Sequence, residues 1–333
     1  MTRVLITGSA GFIGHHVVQK FLNDTDYEVV GLDRLSHSGN LNRVSEVLTS
    51  DVNHRYKVLF HDLRSEINSV LSGQLGQFDY IFHIAASSHV DRSIEEPLNF
   101  VMDNVVGTCN ILEFARTQKN LKMFVYFSTD EVFGPAPSGV QYDEYDRYNC
   151  TNPYSASKAG GEELAVAFRN TYKMPIVITH TMNVFGPRQH PEKFIPLCIS
   201  KIRRGEKVTI HADAKCERPG TRFYIHAADV ADALNFISKL DASESPSGTC
   251  PKFNIVGKEE VDNLTLARYI AEAVEKPLTY EMVDFHSSRP GHDLRYALSG
   301  SRLEALGWAP KTSVKDRIKE VVDWSIAHDH WLA

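Results

Sequence analysis

The feature that most constrains the fold is a beat repeated through the first half of the chain: a short apolar run, then a longer amphipathic stretch. Runs at 4–7, 27–32, 56–60, 80–84, 123–128 and 176–179 have the length and the β-branched or aromatic content of buried strands. Helical spacing follows in 13–22, 101–117 and 155–172. Strands joined by helices pair in parallel, because each crossover returns the chain to the same end of the sheet. The expected fold is therefore α/β, a Rossmann-like doubly wound parallel sheet. Beyond Gly186-Pro187 the beat loosens into polar loops at 213–220 and 243–251, with helices expected at 264–274 and 314–327. This predicts a smaller C-terminal portion at the carboxyl ends of the strands, where open α/β sheets bind ligands.

The first strand-to-helix turn reads Gly8-Ser9-Ala10-Gly11-Phe12-Ile13-Gly14. Glycines at this spacing permit a tight turn, close approach of backbone to a pyrophosphate, and close helix-to-strand packing. The helix start adds free N–H groups and a positive dipole end. A glycine-rich turn can also exist without a ligand, so the next strand matters. Asp33 closes it, about 20 residues on, where an acid holds the ribose hydroxyls of a dinucleotide. A carboxylate there repels a 2′-phosphate, which favours NAD, while the adjoining Arg34 keeps NADP open. Asp62 and Leu63 end the third strand and are placed to touch adenine, although a strand-end Asp is often simply solvated.

Tyr154 and Lys158 stand one helical turn apart at the start of a helix. An ammonium beside a phenol favours the phenolate, which can act as a general base at a hydroxyl undergoing oxidation. Ser128-Thr129-Asp130-Glu131 ends the strand before it. Two adjacent carboxyl groups in one cleft can be pushed apart in pKa, one protonated and one ionised. That suits an elimination, which needs both an acid and a base.

Composition excludes several classes. With 42% hydrophobic and 23% charged residues the chain is an ordinary globular one. A net charge of −6 offers no basic field for nucleic acid or an anionic membrane. No apolar run reaches the ~18 residues of a membrane span. The chain runs from Met1 straight into Val4-Leu5-Ile6, leaving no space for a signal peptide. Five scattered cysteines without a C-x-x-C pair read as free thiols of a cytoplasmic protein. Fifteen scattered histidines offer no metal cluster, and His15-His16, His328 and His330 are expected at the surface.

Together, 8–14, Asp33, Thr129-Asp130-Glu131 and Tyr154-x-x-x-Lys158 resemble the extended short-chain dehydrogenase/reductase family. Within it, Asp33-Arg34-Leu35 with Gly39-Asn40-Leu41, then 88–93, 191–196 and 289–296, resemble the dTDP-glucose and UDP-glucose 4,6-dehydratases. The resemblance implies that Phe12, Ile13, Asp33, Asp62, Leu63, Ala85, Tyr154 and Lys158 touch NAD. It implies that Ser88, Thr129, Asn183, Lys193, Arg222, Arg289 and His292 touch a nucleotide-diphosphate hexose. The two arginines suit the diphosphate, since a guanidinium donates paired hydrogen bonds to phosphate oxygens. The expected division is 1–185 with 222–257 for NAD and 186–221 with 258–333 for the nucleotide sugar.

The implied reaction is internal. Tyr154 removes the proton of the carbon 4 hydroxyl as hydride leaves carbon 4. Glu131 then takes the carbon 5 proton, Asp130 protonates the departing carbon 6 hydroxyl, and hydride returns to carbon 6. A 4-epimerase has no step for the carboxyl pair, a UDP-glucuronate decarboxylase needs no acid for a leaving hydroxyl, and a non-catalytic NAD-binding regulator has little use for Tyr154 and Lys158. The helices 101–117 and 155–172 carry apolar residues beyond one core stripe, including Val105, Phe114, Leu164 and Phe168. This predicts a homodimer through a four-helix interface.

Overall fold

Six of the apolar runs form strands: β1 Arg3–Thr7, β2 Glu28–Asp33, β3 Tyr56–Phe60, β4 Tyr80–His83, β5 Met123–Thr129 and β6 Ile176–Thr181. The computed structural model describes residues 1–36, 38–242, 248–284 and 294–333. Later strands are β7 Val184–Phe185, β8 Val208–Ala212, β9 Thr221–Phe223, β10 Ile225–His226, β11 Lys252–Ile255, β12 Glu260–Asp262 and β13 Tyr280–Asp284. The central sheet has seven strands in the order β3-β2-β1-β4-β5-β6-β11, all parallel. The order reverses between β1 and β4, and a ligand crevice opens at such a point, beyond the carboxyl ends.

The helices are α1 Phe12–Asp24, α2 Leu41–Ser45, α3 Ser69–Leu75, α4 Val90–Glu95, α5 Pro97–Val101 and α6 Gly107–Arg116, then α7 Pro153–Tyr172, α8 Phe194–Arg204 and α9 Ala227–Ile237. After these come α10 Asn263–Val274, α11 Ser301–Ala305 and α12 Val314–Ala327. The expected helix 101–117 starts earlier, at Pro97, and a π-helical stretch at Met102–Val106 joins α5 to α6.

Side-chain alternation explains why both faces of the sheet are covered. Val4, Ile6, Phe82, Val125, Val177 and Phe253 pack with α1 and α9 on one face. Leu5, Ile81, Phe124, Tyr126, Ile176 and Ile178 pack with α6 and α7 on the other. A separate core of Ile199, Ile210, Leu266, Ile270, Ile318 and Val322 holds α8, α10, α12 and β8 together.

Two expectations change here. His15 and His16 are buried, 0% and 6% exposed. α1 packs against α9 as well as the sheet, so its second face is covered too. Burial pushes both imidazoles down, His16 to about 4. The apolar excess of the two long helices is also largely accounted for within the chain. Ile111, Leu112, Phe114 and Phe168 lie in the core under the sheet. Apolar side chains that remain exposed on that side include Ile94, Leu98 and Val101 beside α7, with Leu98 71% exposed, besides Tyr172 at the end of α7 and Val70 on α3.

Candidate active site

The glycine-rich turn is built so tightly that side chains are excluded. Gly8 has φ +71°, and a Cβ on it would lie 2.9 Å from the Ala85 backbone. A Cβ on Gly14 would sit 2.0 Å from Gly8 O. Gly11 is the N-cap of α1, so Phe12 and Ile13 open the helix whose free N–H groups face the crevice. This cradle fits a dinucleotide pyrophosphate. Asp33, at the end of β2, accepts from Ala10 N at 3.0 Å and from Leu35 N at 2.8 Å. The carboxylate is thereby fixed beside the turn. Arg34 is engaged: it pairs with Asp103 at 2.6 and 2.8 Å and with Asp62 at 3.2 Å. With two carboxylates on it, the guanidinium is a poor receptor for a 2′-phosphate. Leu63 packs partly buried against the core, its carbonyl accepting from Asn110 at 2.7 Å.

Beneath the turn, sequence reading missed a buried polar link. His83 bonds Thr7 Oγ1 at 2.8 Å and Thr108 Oγ1 at 3.0 Å, and Thr7 Oγ1 accepts from Ala85 N at 3.1 Å. A histidine inside an apolar run reads as core, and only the β1–β4 pairing reveals its partner. Asn104 was missed as well. Buried in the π-helical stretch, it exchanges hydrogen bonds with the Ser87 backbone at 2.8 and 3.0 Å and donates to Ser157 Oγ at 2.9 Å. It ties the loop after β4 to α7.

Thr129, Asp130, Glu131, Tyr154 and Lys158 converge at the carboxyl end of β5. Thr129 caps the turn Asp130–Phe133, accepting from Glu131 N at 3.4 Å and donating to Asp130 Oδ1 at 2.9 Å. It also hydrogen-bonds the Tyr154 phenol. Asn152 starts α7 through a capping box with Ser155, and its Nδ2 donates to Glu131 Oε2 at 3.1 Å. One cap therefore places both the tyrosine and the glutamate. Asp130 is 5% exposed, and its Oδ2 is buried without a hydrogen-bond partner.

Both carboxyl groups are pushed up. Burial raises Asp130 to about 6, against Thr129 and Arg222. Burial and then the Asp130 charge raise Glu131 to about 7, against Asn152. The pair thus holds about one proton between these two values, and their order places it on Glu131, the reverse of the resting arrangement expected from the sequence, in which Asp130 is the protonated member. Burial, and next the Glu131 charge, push the Tyr154 phenol well above its usual range, so the lowering expected from the Lys158 ammonium is not found: two buried carboxyls lie beside the phenol, and Lys158 is turned to a backbone carbonyl. Burial lowers the Lys158 ammonium to about 7, and its Nζ donates to Phe127 O at 2.6 Å.

The residues implied for the sugar nucleotide are spread around this cleft. Ser88 and Asn183 are exposed on the loops after β4 and β6, and Lys193 caps α8 with its charge felt at Glu131. Arg222 on β9 is nearly buried, lies over the Tyr296 ring at 4.7 Å, and acts electrostatically on both carboxyls. Arg218 is exposed on the preceding loop. Arg289 and His292 lie outside the described residues. Behind the Asp130–Phe133 turn is a further network that sequence reading missed. Glu162 receives Lys252 at 2.8 Å, His180 at 3.2 Å and the Tyr148 hydroxyl, and Phe133 packs on His180 at 4.8 Å.

Comparison with known proteins agrees with this geometry. The family model described as GDP-mannose 4,6 dehydratase matches residues 5–321. The chain is 35% identical to the dTDP-glucose 4,6-dehydratase of Salmonella typhimurium, over 99% of this chain and 94% of that one. It is 34% identical to dTDP-D-glucose 4,6-dehydratase of Mus musculus, over 97% of this chain and 88% of the other. Among solved structures, DesIV, a dTDP-glucose 4,6-dehydratase from Streptomyces venezuelae with NAD and dTDP bound, superposes with a TM-score of 0.85. It shares 32% identity, and 99% of this chain and 98% of that one are covered. The expected Rossmann-like sheet and the resemblance to the extended dehydrogenases are both borne out, and the chain belongs to the GDP-mannose 4,6-dehydratase family.

Proposed function

We propose that this chain is a nucleotide-sugar 4,6-dehydratase that converts dTDP-glucose, or a UDP-hexose, to the 4-keto-6-deoxy sugar with NAD as its resident cofactor. The observation that carries the reading is the Asp130–Glu131 pair: two raised carboxyls, one with a buried and unpartnered oxygen, beside Thr129 and Tyr154. An epimerase or a decarboxylase has no use for both. The names of the relatives support the same choice. A panel of dTDP-glucose, UDP-glucose and UDP-glucuronate tests it. Alkali-induced absorbance of a 4-keto-6-deoxy product is expected with the dTDP- or UDP-glucose arm. A product only with the glucuronate, or an epimer without water loss, overturns it.

In this reading the Gly8, Gly11 and Gly14 turn would hold the pyrophosphate of NAD, Phe12, Ile13 and Ala85 would line it, and Asp33 would hold the ribose. Asp62, Leu63 and Arg34 border the adenine. NAD held there would supply a hydride acceptor and donor for sugar carbons 4 and 6. The chain's residues handle the protons. Tyr154 takes the proton of the carbon 4 hydroxyl, Thr129 holds that oxygen, and Lys158 compensates the phenolate charge. Glu131 removes the proton from carbon 5, made acidic by the neighbouring ketone, and later restores it. Asp130, once the shared proton has passed to it so that Glu131 is free as the base, supplies the proton with which the carbon 6 hydroxyl departs as water. Ser88, Asn183, Lys193 and Arg222, with Arg289 and His292, hold the sugar nucleotide. Residues 1–185 with 222–257 serve NAD, and 186–221 with 258–333 serve the sugar nucleotide.

Asp33→Ala is expected to weaken NAD binding by about 10-fold or more, because a charge-assisted hydrogen bond is lost, and to narrow the preference over NADP. Calorimetry with both cofactors checks this. A wild-type chain that prefers NADP contradicts the role of Asp33.

We further read the chain as a homodimer, a second copy covering exposed Ile94, Leu98 and Val101 beside α7. Light scattering is expected to give twice the single-chain 37.5 kDa, and Leu98→Asp the single-chain value. A dimer unaffected by Leu98→Asp places the interface elsewhere. The five cysteines are all free, which fits a reducing compartment, and we place the enzyme in the cytoplasm. Among the described residues no helix is long and apolar enough to cross a membrane.

A further inference from the structure

Arg43 joins three segments around the dinucleotide crevice from beneath. It lies in α2 and is 3% exposed. Its Nε donates to Arg188 O at 3.0 Å, and its Nη1 donates to Ala10 O at 3.3 Å and to Ser38 O. Those carbonyls belong to the loop after β7, the glycine-rich turn, and the chain that follows Asp33. Asn40 N also donates to Ala10 O, at 3.0 Å, while Ala10 N holds Asp33 Oδ2. A shift of Arg43 therefore moves the pyrophosphate turn and the ribose carboxylate together.

The last residues of the chain hold this guanidinium in place. The Trp331 ring lies 5.5 Å from the Arg43 guanidinium carbon and is 9% exposed. Its Nε1 donates to Glu46 at 3.2 Å, and Glu46 also accepts from Arg188 Nε at 2.8 Å. Arg188, with φ 65°, lies over Trp324 at 4.7 Å, and Trp324 stacks on His328 at 4.3 Å. The C-terminal turn, which follows the sugar-side helix α12 in sequence, is thus fastened to the NAD side of the molecule.

The geometry points to Arg43, clamped by a Trp331 ring that Glu46 holds in place, as the positioning residue that sets how slowly NAD leaves. The inference rests on the NAD reading above. Its logic follows from the reaction: hydride taken from carbon 4 is returned to carbon 6, so the cofactor has no need to exchange between turnovers. A clamp that slows release then costs no turnover and prevents escape of the reduced form.

The test is NAD dissociation from the full chain, followed by stopped-flow displacement. Trp331→Ala is expected to speed release by about 10-fold, the loss of a desolvated cation–π contact and one hydrogen bond. The association rate and the KM for dTDP-glucose stay at wild-type values. Trp331→Phe, which keeps a ring over Arg43, restores most of the slow release. Glu46→Gln, a half-exposed position, gives the same direction if Trp331→Ala fails to fold. Wild-type release in Trp331→Ala, or in Glu46→Gln where the first does not fold, overturns the clamp. Faster release accompanied by an equal loss of sugar-nucleotide affinity also overturns it, since that is general loosening. A wild-type chain that takes up no NAD overturns instead the cofactor reading on which the clamp stands.

Discussion

Glu131→Gln is expected to lower formation of the dehydrated sugar by about 100-fold or more, while single-turnover reduction of NAD persists. An amide keeps the size of the side chain and its contact with Asn152, but it cannot take the carbon 5 proton. The oxidation at carbon 4 relies on Tyr154 and is left in place. The wild-type pH profile carries the companion expectation. The elimination needs one proton on the Asp130–Glu131 pair, whose members burial pushes up to about 6 and about 7. Activity falls at low pH as the second carboxyl gains a proton and no base remains. It falls at high pH as the last proton leaves and no acid remains. A variant with undiminished turnover contradicts the role of Glu131.

Tyr154→Phe is expected to lose about 1,000-fold in both NAD reduction and product, because both depend on the first proton transfer. The ring remains to pack against Phe100, 6.3 Å away, so binding of dTDP is expected to survive. The two variants therefore separate the half-reactions: one blocks before reduced cofactor appears, the other after it. Tyr154→Phe retaining more than about a tenth of the wild-type rate contradicts the assignment of the base, given the usual size of such effects.

The positions that were readable from sequence share a physical cause. Strands β1, β4, β5 and β6 are buried apolar runs with residues packed on both faces, and such a run reads as a strand in the sequence alone. Gly8 and Gly14 were readable because no other residue fits where a Cβ meets backbone at 2.9 Å or less. β11 was not read as a strand: four residues between Pro251 and Val256 are too short for a periodicity, and only pairing with β6 makes them one. His15 and His16 were misplaced because polarity was taken for exposure, whereas α9 covers the helix face that the sheet leaves open. Glu162, Lys252 and His180 lie far apart in the chain, and charged side chains read singly suggest solvent. Their mutual pairing is a property of the fold. Lys158 is a partial case. Its place one turn after Tyr154 was legible, but the donation to Phe127 O depends on where β5 ends.

The central claim is that one active site oxidises carbon 4, eliminates water across carbons 5 and 6, and returns the hydride. The most direct test is to incubate the chain and catalytic NAD with dTDP-glucose and, separately, with UDP-glucose in heavy water and weigh the products by mass spectrometry. The expected product has lost one water and gained one deuterium at carbon 5, delivered by Glu131, with carbon 6 carrying the hydride from carbon 4. Unchanged mass of both substrates, or water loss with carbon 6 deuterated from solvent, contradicts the account.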